Sequence, residues 1–239
     1  GSVRTQGWED ETTILYATNL VALYVDQGHC GKAESIALQT LEASERTFGQ
    51  SNDWTLFSAR RLASVYWSQE RYSESEALYL KTFDGRKRLF GEDSYFAISL
   101  SLEIAAFYAD QDRFDEAGPL YWRALNGFRR LLPENHPDIA DSYVGLAKLF
   151  TSKYGDLSRS AYFYKRAVNA IQGVRQNMGE IDTGTQRSFL DKYSAAYSSL
   201  QEILVEQGRF AEAEQVGRMF KDLEYTAFVR GARQDQATE

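Results

Sequence analysis

Cysteine, histidine and proline are almost missing from this chain of 239 residues, which holds one Cys, two His and three Pro. The lone Cys30 excludes an intrachain disulfide framework and fits a reducing compartment, so a cytoplasmic location is expected. Two His and one Cys give no metal-ligand spacing, and neither metal nor cofactor is expected. The sequence also lacks a Gly-rich phosphate loop and a GxSxG nucleophile elbow. It has no apolar run of about 18 residues and no signal peptide, so no membrane partner is expected. Positive charge is the scarcer sign, 27 Lys and Arg against 34 Asp and Glu for a net charge of −7. A binder of phosphate backbones carries the opposite footprint, which argues against nucleic acid. Gly1-Ser2 reads as a cloning remnant, with the native N-terminus and any targeting signal expected to lie outside this sequence. Pro119, Pro133 and Pro137 are expected at or near helix ends, Pro119 in the first turn or so of its helix, where a missing N–H is harmless.

What the chain has in quantity is repetition. Shifted by 42 residues, Leu62, Ala63, Tyr66, Gln69, Tyr72, Ser75 and Tyr79 fall on Ile104, Ala105, Tyr108, Gln111, Phe114, Ala117 and Tyr121. Leu20, Tyr24, Gln27, Cys30, Ala33 and Ala37 take the same places one period earlier. Leu146, Ala147 and Phe150 do so later, with one extra residue before Ser160, Tyr164 and Ala167; a fifth copy, carrying Gln207, Gly208, Phe210 and Ala213, follows a longer spacer. Within each copy the apolar residues recur at helical spacing on both sides of a polar turn, so each copy is a helix, a tight turn and a second helix. Small residues (Ala63, Ala105, Ala147; Ala33, Ala117, Ala213) mark close backbone approach, with Tyr or Phe one turn away. One such hairpin cannot enclose its own apolar stripe, so hairpins stack and each buries the next.

Helices are expected at 10–26 and 30–48, 53–68 and 73–90, 95–110 and 115–132, 137–153 and 157–178, and 184–206 and 211–230, punctuated by Gly28, Gly49, Gly91, Gly155 and Gly208. Arg46, Arg88 and Arg130 recur near the ends of second helices, opposing the macrodipole. The expected organisation is a lead at 1–9, four hairpins over 10–178, a loop at 179–185, a fifth, offset hairpin at 186–230 and a flexible tail at 231–239.

With NLVALYVDQG at 19–28, EQGRFAEAE at 206–214 and LLPENHPDIA at 131–140, the pattern resembles the tetratricopeptide repeat (TPR), in the 42-residue form seen in kinesin light chains and many bacterial proteins. The resemblance covers about residues 10–222 and implies an all-α right-handed solenoid of about five hairpins that binds a peptide or protein partner. A second resemblance, over Gln186–Leu190, Tyr193, Leu200, 206–213 and 219–225, is to the segment preceding the protease domain of bacterial TPR proteins of the CHAT class. It implies that this chain is the regulatory region of a larger caspase-like protease whose catalytic domain lies outside it, with an intramolecular contact to that domain.

No catalytic residue is expected here. Cys30 and His29 are neighbours in a turn, where a nucleophile and its base rarely meet, and Cys30 holds the repeat position of Tyr72 and Phe114. His136, before Pro137 and Asp138, is expected to serve a helix start, and Tyr24, Tyr66 and Tyr108 to lie in the core. By the TPR resemblance, ligand contacts come from the first helices on the concave face. Carried across, these are Phe57, Arg60, Ser64, Trp67 and Ser68; Ser99, Leu102, Ala106, Ala109 and Asp110; Asp141, Val144, Lys148, Thr151 and Ser152; and Glu202, Val205 and Glu206. Trp67 has no counterpart in the other copies and, beside Arg60, has the character of an interface anchor, although a lone Trp also packs on neighbouring helices. The mixed signs, with Asp26 added, select no single charge class of ligand. Two alternatives stand beside this reading: homotypic assembly through the apolar edge Leu223, Tyr225, Phe228, and an enzyme or small-molecule receptor using the inner face.

Overall fold

The computed structural model describes residues 10–177 and 183–221, among which every regular element is a helix. They run α1 Glu11–Asp26, α2 Cys30–Phe48, α3 Asp53–Ser68, α4 Tyr72–Phe90, α5 Tyr95–Asp110, α6 Phe114–Leu131, α7 Pro137–Ser152, α8 Leu157–Asn177 and α9 Thr183–Glu206, followed by α10 over 210–221. The first helices of four hairpins start at Glu11, Asp53, Tyr95 and Pro137, each 42 residues after the last. The chain divides into two compact units, residues 1–107 and 108–239, the boundary falling in the last turn of α5.

Three of the first helices, α3, α5 and α7, begin at an N-cap that recurs every 42 residues, whereas Asp10 before α1 makes no side-chain cap bond. Asn52 Oδ1 accepts from the Trp54 N–H at 2.9 Å, Ser94 Oγ from Ala97 at 3.3 Å and His136 Nδ1 from Asp138 at 3.2 Å. Each side chain satisfies one of the N–H groups that a helix start leaves without a partner. His136 thus serves the helix start, as its place before Pro137 suggests. The hairpin turns use a left-handed residue: Gly28, Gly155 and Gly208 at three of them, but Glu70 (φ 60°) and Asp112 (φ 57°) at the others, a conformation that costs a side-chain-bearing residue roughly 1 kcal/mol or more.

In the first unit, α1, α2 and α3 pack in sequence, α1 also touches α3, and α3 packs on α4. Val21, Ala33, Ala37, Leu62 and Val65 form one buried cluster at the first joint. The small residues bring backbones close enough for a side chain to reach across: Ser75 Oγ donates to the Ala63 carbonyl at 2.8 Å. Ser44 and Ser58 hydroxyls meet at 2.9 Å between α2 and α3. In the second unit, α6 to α9 pack in succession, and Ser160 Oγ repeats the Ser75 contact with the Ala147 carbonyl at 2.9 Å. Of the three tyrosines placed in the core by their spacing, Tyr108 is buried whereas Tyr24 and Tyr66 are half-buried.

Two placements depart from the sequence reading. Pro119 stands in the second turn of α6, where its missing N–H leaves the Asp115 carbonyl without the usual i to i−4 bond. The helix expected over 184–206 begins one residue earlier, at Thr183, so the end of the expected loop 179–185 is the first turn of α9; a first turn makes no intrahelical N–H bonds, so a glycine there is tolerated. The rest of that loop, 178–182, and the apolar edge Leu223, Tyr225, Phe228 lie outside the described residues, as do the lead 1–9 and the chain beyond 221.

Candidate functional site

The densest concentration of interface-type side chains in the first unit lies on α3 and α5. Successive turns of α3 place Phe57, Arg60, Arg61, Ser64 and Trp67 along one side of the helix. Arg60 is held: its Nε and Nη2 donate to Glu103 Oε2 and Oε1 at 2.5 and 2.6 Å, the fork geometry that makes Arg the stronger partner of a carboxylate. Burial acts to lower the Arg60 pKa, but the Glu103 charge and hydrogen bonds outweigh it, and the net shift is upward. Arg61 differs. Its guanidinium lies 5.4 Å from the Phe57 ring centroid, its Nε is buried with no hydrogen-bond partner, and its pKa is pushed down by burial and then by the neighbouring Arg60 charge. Glu103 is taken by Arg60, so Arg61 feels the Glu103 and Asp26 charges without a carboxylate in hydrogen-bond contact.

Trp67 is half-buried, its ring edge-on to Phe107 at 5.8 Å and 88°. Phe107 also receives Tyr72 at 6.2 Å and Tyr79 at 5.5 Å, so Trp67 caps an aromatic cluster while keeping part of its surface in solvent. Beneath lies the Tyr79 hydroxyl, buried and without a hydrogen-bond partner; burial and the Glu103 charge push its pKa up. Ser64 and Ser68 donate back to the Arg61 and Val65 carbonyls of their own helix, at 2.8 and 2.7 Å. Of the α5 positions, Ser99, Leu102 and Ala106 are partly exposed.

In the second unit Asp110, Lys148, Thr151, Ser152, Glu202, Val205 and Glu206 are exposed, and Asp141 and Val144 are half-buried. Asp141 accepts from Lys192 Nζ at 2.7 Å, and the Thr151 and Ser160 hydroxyls meet at 2.6 Å. Beside Thr151 and Ser152 lies a cleft of about 460 Å³ lined by Phe114, Trp122, Leu149, Phe150, Lys153 and Tyr154 among others. Its aromatic residues come from two stretches of chain, the start of α6 and the end of α7 with the turn that follows it, which the packing of α6 on α7 brings together.

Two other features escaped the sequence reading. Arg86 is 3% exposed and its Nε lies 3.4 Å from Asp53 Oδ1, near enough for an ion pair but without hydrogen-bond alignment, since both atoms lack a bonded partner. It occupies the repeat position of Ser44 and Phe128, and that substitution within the repeat was the available signal. The turn arginines form the second. Arg71 and Arg113 stack on Tyr66 and Tyr108 at 3.9 and 4.3 Å and grip Glu74 and Glu116, three residues on, at 2.5 Å. Arg209 grips Glu212 in the same way, at 2.7 and 2.9 Å. In the first copy His29 stands at this position, edge-on to Tyr24 at 6.0 Å; it is thereby engaged with the Tyr24 ring, while Cys30 Sγ lies 3.7 Å from the Ser68 hydroxyl.

Among the described residues no group of three or more His, Cys, Asp and Glu is placed to hold a metal, and no helix is long and apolar enough to cross a membrane. Stacked helical hairpins with small-into-large joints define an all-α solenoid, a repeat architecture that presents surfaces rather than enclosing a reaction centre. The tetratricopeptide-repeat family profile matches residues 11–88 and 95–172, and the chain belongs to that family. Similar solved structures include BtubC (BKLC) from P. vanneervenii, at 22% identity over 90% of this chain and 81% of that one, TM-score 0.70. The TPR-like repeats of a Podosopora anserina protein assigned as a kinesin light chain match at 16% identity over 91% and 97% of the two chains, TM-score 0.65. PilF of Pseudomonas aeruginosa matches at 12% identity over 94% and 84%, TM-score 0.59. At these identities the likeness is one of fold. Among curated proteins no sequence matches the chain. The segment that resembles the approach to a CHAT protease, 186–225, lies outside the family match.

Proposed function

We propose that this protein binds a peptide or protein partner on the face presented by α3 and α5, with Phe57, Arg61 and Trp67 as its centre. TPR folds are in general non-catalytic protein-interaction modules; the observation that carries the finer reading is Arg61. A half-buried guanidinium set over the half-buried Phe57 ring, beside an arginine already taken by Glu103, is the cation on this face left to meet an acceptor from a partner. Aromatic and Arg side chains of this kind dominate binding energies at interfaces. Arg60, fixed by Glu103, orients this face rather than reaching for the ligand. A partner segment that sets a carboxylate on Arg61 and an apolar side chain against Trp67 fits it.

Peptides selected on the protein from a random library should be enriched in Asp or Glu near a bulky apolar residue. They should bind an Arg61→Glu variant of unchanged helical content at least tenfold more weakly, about 1.4 kcal/mol. Equal binding would move the site away from α3.

The sequence of residues 186–225 supports a further part of the reading: the chain serves as the regulatory region of a larger CHAT-type protease, with partner binding relayed through the last hairpin. In a full-length parent, deleting residues 1–180 should alter protease activity; an unchanged activity would remove the relay.

A further inference from the structure

The repeat itself shows what one bare surface of the molecule is built to meet. On α1, Tyr16, Leu20 and Leu23 lie one helical turn apart and are 69%, 38% and 50% exposed. Their counterparts in α3, α5 and α7 are Ser58, Leu62 and Val65; Leu100, Ile104 and Phe107; and Ser142, Leu146 and Leu149, none more than 4% exposed. What buries those counterparts is the preceding hairpin: its second helix throughout, joined by its first through Val21 at the Leu62, Val65 cluster and Trp67 on Phe107. α2 covers α3 through the Ser44–Ser58 contact and the Ala33, Ala37, Leu62, Val65 cluster. Between α4 and α5, Tyr72 and Tyr79 pack on Phe107. In the second unit, α6 lies against α7 so closely that a β-carbon on Gly118 would stand 3.4 Å from the Leu149 side chain. Three joints of the same construction therefore define the complement of this face as the outward side of a hairpin of the same repeat, with its second helix present at every joint.

The last hairpin offers such a helix. In α10, Phe210 holds the repeat position of Tyr72, which packs on Phe107, the counterpart of Leu23. Phe210 is 66% exposed, whereas Tyr72 is half-buried. We propose that Tyr16, Leu20 and Leu23 of α1 form a self-association surface that takes the α10 helix of a second copy, head to tail, repeating the joint between successive hairpins. A joint of this kind is heterologous: each copy keeps one free face and the chain of copies can extend.

Sedimentation velocity on the full chain tests this. The wild type should shift from monomer to dimer and larger species as its concentration rises toward about 100 µM, a range in which association of micromolar strength is visible. A Leu20→Lys, Leu23→Lys variant and a Phe210→Lys variant, all at exposed positions and checked for helical content, should each remain monomeric. An equimolar mixture of the two should form a 1:1 dimer and nothing larger, because one intact head then meets one intact tail. A wild type that stays monomeric, a charge variant that associates as the wild type does, or a mixture that fails to pair would each overturn the proposal.

Discussion

Gly145 and Tyr121 show at the scale of single residues how the hairpins achieve close contact. A β-carbon on Gly145 would lie 2.1 Å from the Tyr121 ring, so the ring fills the space a side chain on α7 would need. The equivalent positions in α3 and α5, Arg61 and Glu103, carry long polar side chains instead. Overpacking a fitted joint costs about 1–3 kcal/mol, and here the obstacle is a buried ring, Tyr121 being 4% exposed. Gly145→Ala is expected to lower unfolding stability by about 2 kcal/mol in urea or guanidinium denaturation, a value at the middle of that range. A stability unchanged within error would mean that the ring swings aside at no cost. Arg86 teaches the opposite lesson. A residue type that belongs at the surface is buried at a position filled by Phe128 in another copy, and composition alone gives no reason to place it there.

Among the elements, the turn between two helices of a hairpin is the most regular piece of chemistry in the chain. An arginine at the start of the second helix stacks back on the first helix where that helix offers a tyrosine, and holds the glutamate three residues ahead. At the last hairpin Glu212 takes hydrogen bonds from Arg209 and from Lys165 of α8, so one carboxylate fastens the turn to the neighbouring hairpin. The Arg209 bonds, then the Lys165 bond, lower its pKa from 4.5 to about 2. A carboxyl with a depressed folded-state pKa contributes stability that is fully present above its unfolded value and is lost as pH falls through the folded one. The denaturation midpoint of the wild type should therefore fall between pH 4.5 and about 2 more steeply than that of Glu212→Gln. Parallel pH profiles of the two proteins would show that Glu212 is not the fastening group. Helix positions were legible in the sequence because apolar spacing and the 42-residue period fix them twice over. The clamps were not, because Gln111-Asp112-Arg113 reads only as a polar turn until the reach of the arginine to both Tyr108 and Glu116 is seen.

For the molecule as a whole, sequence reading was strongest where it used comparison between copies and weakest where one copy differs. Trp67 was visible as an exception in its column, and the structure gives that exception a local partner in Phe107. Arg60 was visible as a charge on the ligand-facing side, but its partner Glu103 lies 43 residues ahead rather than 42, so superposing the copies does not align the two. That Arg61 is the arginine without a carboxylate in hydrogen-bond contact follows only from that pairing, since it needs to be known which of the two Glu103 has taken. The constancy of the joints has a kinetic consequence as well. Every packed joint described in either unit links helices that are neighbours or next neighbours along the chain, so folding closes only short loops and its contact order is low. Chains with such local contacts collect their native contacts quickly, and in a repeat array the first hairpin pair to form serves as the template on which the next condenses.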